Sequence, residues 1–301
     1  MEKINLFDND LIVRDSLCTT NPNYKKKVRP SLRLYIKLTD LCLARCKFCA
    51  NEGVCDFGEI DLEKLAFVIK YLKSKGRLHG ISITGGEPMV KPGLLFKVLD
   101  LIYEIDEDME VAISTNGYNL LKFLDYPNIN KLESIHISRH YYDDLVNYKI
   151  FGSSDVASSS DIISLQEELD DKKIININTM VMKDAIEGLD DIKKMMDSVC
   201  GMGVYKNGFV SLMKCNDYSC KHFINFNDIF SNLDDNFFLA HHFFCEEYCE
   251  CVDGLYLTSS DKLIEFYARM VKDCSCPYTT QLVYTTDNRL LSGFGGKVLY
   301  K

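Results

Sequence analysis

No run in this chain of 301 residues approaches the roughly 20 consecutive apolar residues that a membrane-spanning helix needs. The opening Met1-Glu2-Lys3-Ile4-Asn5 lacks the long apolar stretch of a secretory signal. These absences predict a cytoplasmic protein with no membrane partner. Positive charge is short as well: 35 Lys and Arg against 44 Asp and Glu leave a net charge of −9. A broad nucleic-acid surface needs basic stripes. The one basic cluster, Lys25-Lys26-Lys27 with Arg29, is short and reads as a solvated turn. Nucleic acid is therefore disfavoured as a partner, although a small RNA or a nucleotide stays open as substrate. Tryptophan is missing altogether, and no functional reading attaches to that.

Cysteine, in contrast, is plentiful. Thirteen are present, well below the roughly 8–10% of a secreted disulfide scaffold, and a reducing compartment fits them. Apolar residues make up 47% of the chain, enough for a sizeable core. The length allows one large domain, or one with a small appendage.

Three of the cysteines, Cys42, Cys46 and Cys49, fall within one eight-residue loop in the pattern CxxxCxxC. Soft sulfur ligands select Fe–S clusters or zinc. A 4Fe–4S cluster normally takes four cysteines, so a cluster on three keeps one iron open to another ligand. Alone, the loop also fits a zinc site with a remote fourth ligand. Its setting adds to it. The run Leu32 to Leu38 alternates apolar and polar residues as a strand does, and the cysteines follow it. Gly80 to Thr84 is a second short strand, running into Gly85-Gly86-Glu87-Pro88. Two glycines allow close backbone approach to a ligand, and a glutamate offers an acceptor to a cationic amine. Val111-Ala112-Ile113 leads into Ser114-Thr115-Asn116-Gly117. All three loops sit at strand C-termini, where α/β folds place their sites.

In these residues, taken in this order, the chain resembles the radical S-adenosylmethionine (SAM) superfamily, and Phe48 before the third cysteine is also usual there. The resemblance covers about residues 31 to 215. It implies a 4Fe–4S cluster on Cys42, Cys46 and Cys49, with the amino and carboxylate groups of SAM on the fourth iron. It implies that Gly85, Gly86 and Glu87 hold the SAM amino group, with Ser114, Asn116, Ser138 and Asn178 as further SAM contacts. One electron from the cluster then cleaves SAM to methionine and a 5′-deoxyadenosyl radical, which abstracts hydrogen from a substrate. A flavodoxin- or ferredoxin-type reductant and an anaerobic setting go with this chemistry. The substrate is expected to be a peptide or a small metabolite. A tRNA- or nucleotide-modifying enzyme, or a non-catalytic metal-binding regulatory protein, are the alternatives.

Apolar spacing gives helices at Leu62 to Lys75, Leu94 to Ile105, Asp161 to Leu169 and Leu189 to Val199, and strands at Ser134 to Ser138, Ile174 to Met180 and Gly208 to Leu212. This alternation predicts an α/β fold, a partial (β/α)6 TIM-like barrel. Residues 1–30 read as an N-terminal extension, with a hairpin around Asp8-Asn9-Asp10. Residues 31–215 are the barrel core. Residues 216–301 read as a small cysteine-rich C-terminal subdomain, ending in a hairpin over 281–290 with Asp287-Asn288 as its turn. The closing Gly293-Phe294-Gly295-Gly296 reads as a flexible tail.

The strand at 134–138 ends in Ser138-Arg139-His140-Tyr141. In the branch of the family that includes cyclic pyranopterin synthases and peptide-modifying enzymes, this strand commonly ends Ser-x-Asp, and here His140 stands where Asp would be. Ser138 or Arg139 is a candidate for the SAM carboxylate. His140 and Tyr141 are candidates for acid–base or hydrogen-donor work on the substrate, against a reading as a structural turn. Asn178 shares a strand face with Asn176. Cys249, Cys251, Cys274 and Cys276 form two CxC pairs where relatives with a SPASM or Twitch extension place an auxiliary cluster. Ser292-Gly293 stands where those hairpins usually carry a cysteine. A second Fe–S cluster, a structural zinc and unligated thiols all stay open.

Overall fold

The computed structural model describes residues 2–13, 32–50, 58–169, 174–235, 237–244, 252–258, 263–267, 278–279 and 281–301. Strands β1 (Glu2–Leu6) and β2 (Asn9–Val13) form an N-terminal hairpin. Six strands then alternate with helices: β3 (Leu32–Lys37), α1 (Leu62–Ser74), β4 (Leu78–Thr84), α2 (Pro92–Ile105), β5 (Glu110–Thr115), β6 (Ser134–Ser138), α3 (Asp144–Phe151), α4 (Ser159–Glu168), β7 (Ile175–Val181), α5 (Leu189–Gly201) and β8 (Lys206–Ser211). After them come α6 (Asp217–His222), α7 (Phe226–Phe230), β9 (Phe237–Phe244), β10 (Val252–Thr258), β11 (Leu263–Tyr267), β12 (Tyr278–Thr279), β13 (Gln281–Tyr284), β14 (Leu290–Leu291) and β15 (Val298–Tyr300).

Strands β3 to β8 pair in parallel in chain order. They are the six βα units expected of a partial barrel, and the sheet does not close. It is extended instead at both edges: β13 pairs in parallel with β3, and β11 in parallel with β8. The result is one sheet in the order β15-β14-β13-β3-β4-β5-β6-β7-β8-β11-β10-β9. The final strands of the chain thus continue the barrel sheet.

Alternation along β3 shows how the sequence divides the two faces. Leu32, Leu34 and Ile36 are almost fully buried and join Leu65, Val68 and Leu99 of α1 and α2 in one core. Arg33, Tyr35 and Lys37 on the other face are half-buried. In a parallel barrel one face meets the helices and the other the lumen, so the lumen here is lined by polar side chains. Helix α1 starts where it does because the Asp61 carboxylate caps the backbone N–H groups of Glu63 and Lys64. Helix α2 starts at Pro92, whose fixed φ suits a first turn.

Three local expectations need correction. The N-terminal turn lies at Phe7-Asp8, not at Asp8-Asn9-Asp10, and both residues have positive φ. Phe7 is held there because its ring stacks on Tyr71 at 4.0 Å and its backbone N–H donates to the Tyr71 hydroxyl. Gly293 to Gly296 is not a tail. It forms the turn between β14 and β15, closed by Gly296 N–H to Gly293 O at 3.0 Å and by Ser292 N–H to Lys297 O at 2.9 Å. The hairpin over 281–290 is as expected, but its turn is longer than Asp287-Asn288: Thr285 N–H donates to Arg289 O at 3.0 Å and Asn288 N–H to Thr285 O at 2.9 Å.

Candidate active site

Because β3, β4 and β5 are parallel neighbours, their C-terminal ends lie side by side. This brings the CxxxCxxC loop, the GGEP turn and the STNG turn together. Gly86 N–H donates to Thr39 O at 2.7 Å and Glu87 N–H to Leu41 O at 2.8 Å. Gly85 has φ +140°, and a Cβ on it would lie 2.3 Å from Thr39 O; on Gly86 it would lie 2.2 Å from Leu41 O. The close approach these glycines permit is therefore to the backbone that leads into Cys42.

Glu87 is only 1% exposed. Its Oε1 accepts from Met89 N–H at 2.9 Å and from the Thr115 hydroxyl at 2.7 Å, and its Oε2 accepts from Asn116 N–H at 2.6 Å. Burial pushes this carboxyl up to about 7, while the three donors pull the other way. Asn116 continues the chain of contacts: its Nδ2 lies 3.6 Å from Cys42 Sγ. The Glu87 carboxylate thus joins the GGEP and STNG turns, while its backbone N–H and the Asn116 side chain carry the link to the cysteine loop.

Cys42, Cys46 and Cys49 are free thiols, each half-buried. Burial pushes the Cys46 thiol up to about 12, with Cys49 and Cys42 adding to it. Cys42 is raised too, first by burial and then by Glu87 and Cys49. Metal binding to such thiols must displace their protons. Three soft thiol donors within one loop are a set that an Fe–S cluster accepts. The loop is docked from behind: Arg45 N–H donates to Phe151 O at 2.7 Å, and the Asn216 side chain donates to Lys47 O at 3.1 Å.

His140 sits behind this loop and is 4% exposed. Its Nδ1 accepts from Met180 N–H, and its ring stacks on Phe151 at 4.6 Å with Phe48 edge-on at 5.2 Å. Tyr141 stacks on Tyr142 at 4.2 Å, and their hydroxyls share a hydrogen bond that pushes the Tyr141 phenol up to about 12. Arg139 is fully buried, paired with Asp144 at 2.7 Å and donating to Tyr142 O and the Ser159 hydroxyl. That packing holds its guanidinium against the first residues of α3 and α4.

Ser114, Ser138 and Asn178 are half-buried. Strand register sets Ser114 beside His136 and Ser138 beside Asn178. Asn178 Nδ2 is 3.4 Å from His136 Nδ1, and His136 Nε2 is 2.9 Å from the Ser134 hydroxyl. Burial, with the Lys206 and Arg33 cations nearby, lowers His136 to about 3 and keeps its ring neutral. Cys249, Cys251, Cys274 and Cys276 lie outside the described residues, and so does the second metal site expected on them.

Sequence reasoning named Ser114 and Asn116 and overlooked Thr115 between them, the hydroxyl donor to Glu87. It also overlooked Asn216. The spacing Asn216-x-x-Ser219 carried a readable signal, a capping box that opens α6 and fixes the Asn side chain.

The polypeptide matches the Radical SAM superfamily model over residues 36–204, more than half of its length. A GTP 3′,8-cyclase of Alkaliphilus oremlandii is 35% identical over 107 residues, covering 34% of this chain and 33% of that protein. A GTP 3′,8-cyclase of Clostridium perfringens (strain 13) is 27% identical over 172 residues, covering 56% and 51%. The chain thus spans about half the length, or less, of these curated relatives. Streptococcus suis SuiB bound to its precursor peptide SuiA superposes with a TM-score of 0.64 at 15% identity, over 87% of this chain and 59% of that one. SuiB bound to S-adenosylmethionine gives 0.62 at 14% identity, over 88% and 60%. At such identities the likeness is one of fold. The family implies a 4Fe–4S cluster and SAM, and no helix among the described residues is long and apolar enough to cross a membrane. With its three cysteines set against the GGEP and STNG turns at the ends of parallel strands, the chain belongs to the radical SAM superfamily.

Proposed function

We propose that this chain is a radical SAM enzyme whose substrate is a peptide or a small metabolite. Cluster and SAM together supply a one-electron cleavage that yields a 5′-deoxyadenosyl radical. The protein's part is to hold, orient and shield. Cys42, Cys46 and Cys49 are the cluster ligands. Gly85 and Gly86 fasten the GGEP turn to the cluster loop, and with Glu87, which braces that turn against the STNG turn, they are the candidates for holding the SAM amino group. Ser114, Asn116, Ser138 and Asn178 supply polar contacts along the strand ends. His140 fits the packing of the cluster loop, and Tyr141 is the candidate of the pair for contact with substrate.

Residues 31–215 form the catalytic core in this reading. Within 216–301, Cys249, Cys251, Cys274 and Cys276 are candidate ligands for a second Fe–S cluster or zinc. A flavodoxin- or ferredoxin-type protein is the proposed reductant. The observation that carries the reading is the 3.6 Å contact from Asn116 to Cys42, which puts the STNG turn against the first cluster ligand. The names of the sequence relatives favour a second reading, in which the small metabolite is a nucleotide.

The test is spectroscopic. Anaerobically reconstituted and reduced protein should give an EPR signal that shifts when SAM is added, with about four irons per chain, or about eight with a second cluster. A signal indifferent to SAM would remove the reading.

A further inference from the structure

We propose that the β13–β14 turn, through Thr286 and Asn288, positions the cluster-binding loop, so that residues near the end of the chain belong to the cofactor site. The inference rests on the cluster reading above for its function, and on the contacts below for its geometry.

The chain leaves the sheet after β3, passes through Cys42, Cys46 and Cys49, and comes back at Gly58 to open α1. Both flanks of that excursion meet the same turn. On the outgoing flank, the Thr286 hydroxyl donates to Asp40 Oδ2 at 2.7 Å. Lys37 holds the other oxygen, Oδ1, at 2.8 Å. Asp40 lies two residues before Cys42 and is fixed on both sides.

On the returning flank, Asn288 grips the backbone with both ends of its amide. Its Oδ1 accepts from Asp61 N–H at 2.8 Å, and its Nδ2 donates to Glu59 O at 2.9 Å. The Tyr284 hydroxyl holds the same Oδ1 at 3.0 Å. Asn288 itself has φ +62°, a conformation Asn tolerates better than most residues. A Cβ on Gly58 would lie 2.4 Å from Thr286 O, so the returning chain passes directly against the turn. Thr286 is 4% exposed, so its hydroxyl bond is shielded from water.

A loop carrying three metal ligands loses affinity when its ends wander, because each ligand must be re-ordered on binding. A turn that joins both ends removes that freedom. Its sequence separation from the loop, over 200 residues, makes it a tertiary device, and strand β13 delivers it by pairing beside β3.

The test uses Thr286→Val and Asn288→Asp in the full chain, with Thr286→Ser as the conservative variant. The first removes a hydroxyl with little change of shape, and the second removes the amide donor. Thr286→Val is expected to release iron to a chelator about fivefold faster than wild type, as the loss of one part-buried hydrogen bond allows, and Asn288→Asp about twofold faster, because its bond to Glu59 O is exposed. Thr286→Ser should restore the wild-type rate. Hydrogen–deuterium exchange on the apoprotein reads the geometry without any cluster: amides at 38–47 and 58–61 should exchange faster in both variants, while those of β5 to β7 stay unchanged. Unchanged exchange at the two flanks would overturn the inference. So would faster exchange across the whole sheet, since that marks general destabilisation. A wild-type protein that takes up no iron, with flank exchange still responding to the variants, would instead count against the cluster reading.

Discussion

Single residues decide how this site is charged. Glu87 would be costly where it is without partners, since a buried carboxylate must be hydrogen-bonded to be tolerated. The backbone N–H groups of Met89 and Asn116 and the Thr115 hydroxyl meet that need, and burial still leaves the carboxyl at about 7. His136 is the converse case in the lumen. Its ring is held down at about 3 in the folded protein, whereas an unfolded chain protonates histidine near pH 6.5. Between those values the unfolded chain binds the extra proton, so its contribution to stability is present above about pH 6.5 and is lost as pH falls towards 3. Urea unfolding of the apoprotein at about pH 7 and about pH 5 checks this. Glu87, raised to about 7, shifts stability the other way over this range, so the comparison is between the two proteins: acidification should be less favourable to the wild type than to His136→Gln. An equal change in both would contradict the account. That Cys42, Cys46 and Cys49 share one loop, and that this loop and the Glu87 turn meet at neighbouring strand ends, was legible from spacing and order. The burial of His140 was not: β6 ends at Ser138, and the chain then turns the His140 ring between Phe48 and Phe151.

At the scale of elements, the strand ends do the assembling. The six barrel strands were readable because short β-branched runs alternate with amphipathic helical spacing, and burial on the helix-facing side enforces that pattern. Helix α3 was not foreseen. It is short, and its signals are local: the Asp143 side chain caps the Val146 N–H, and Gly152 ends the helix at φ +62°. The placement of β11 and β13 beside β8 and β3 was equally hidden, since edge pairing depends on contacts far apart in sequence. The docking of the GGEP turn on the cluster loop gives a test at this scale. Gly86→Ala sets a methyl carbon 2.2 Å from Leu41 O, a contact that only a shift of one loop can relieve. Reconstituted Gly86→Ala is expected to retain less than about half of the wild-type iron, with the far-UV circular dichroism preserved, because strain of this kind acts locally. Full iron content in that variant would show that the two loops need not touch.

For the whole molecule, the sheet runs from the last strand of the chain through the barrel to β9, and the matched superfamily region, 36–204, occupies its middle. Outside that region the hairpins were readable but their docking was not, and one of them, through the turn at 285–288, reaches the flanks of the cysteine loop. Net charge of −9 and a lumen lined by Arg33, Tyr35, Lys37, Ser114 and Asn178 bear on the substrate as a class and not as a compound. The central claim, a cluster on three cysteines that cleaves SAM, is open to direct assay. Reconstituted protein, reduced with dithionite under anaerobic conditions and given SAM, should form 5′-deoxyadenosine, and Cys46→Ala treated alike should form none. Nucleoside from both proteins, or from neither when the wild type holds an intact cluster, would contradict it.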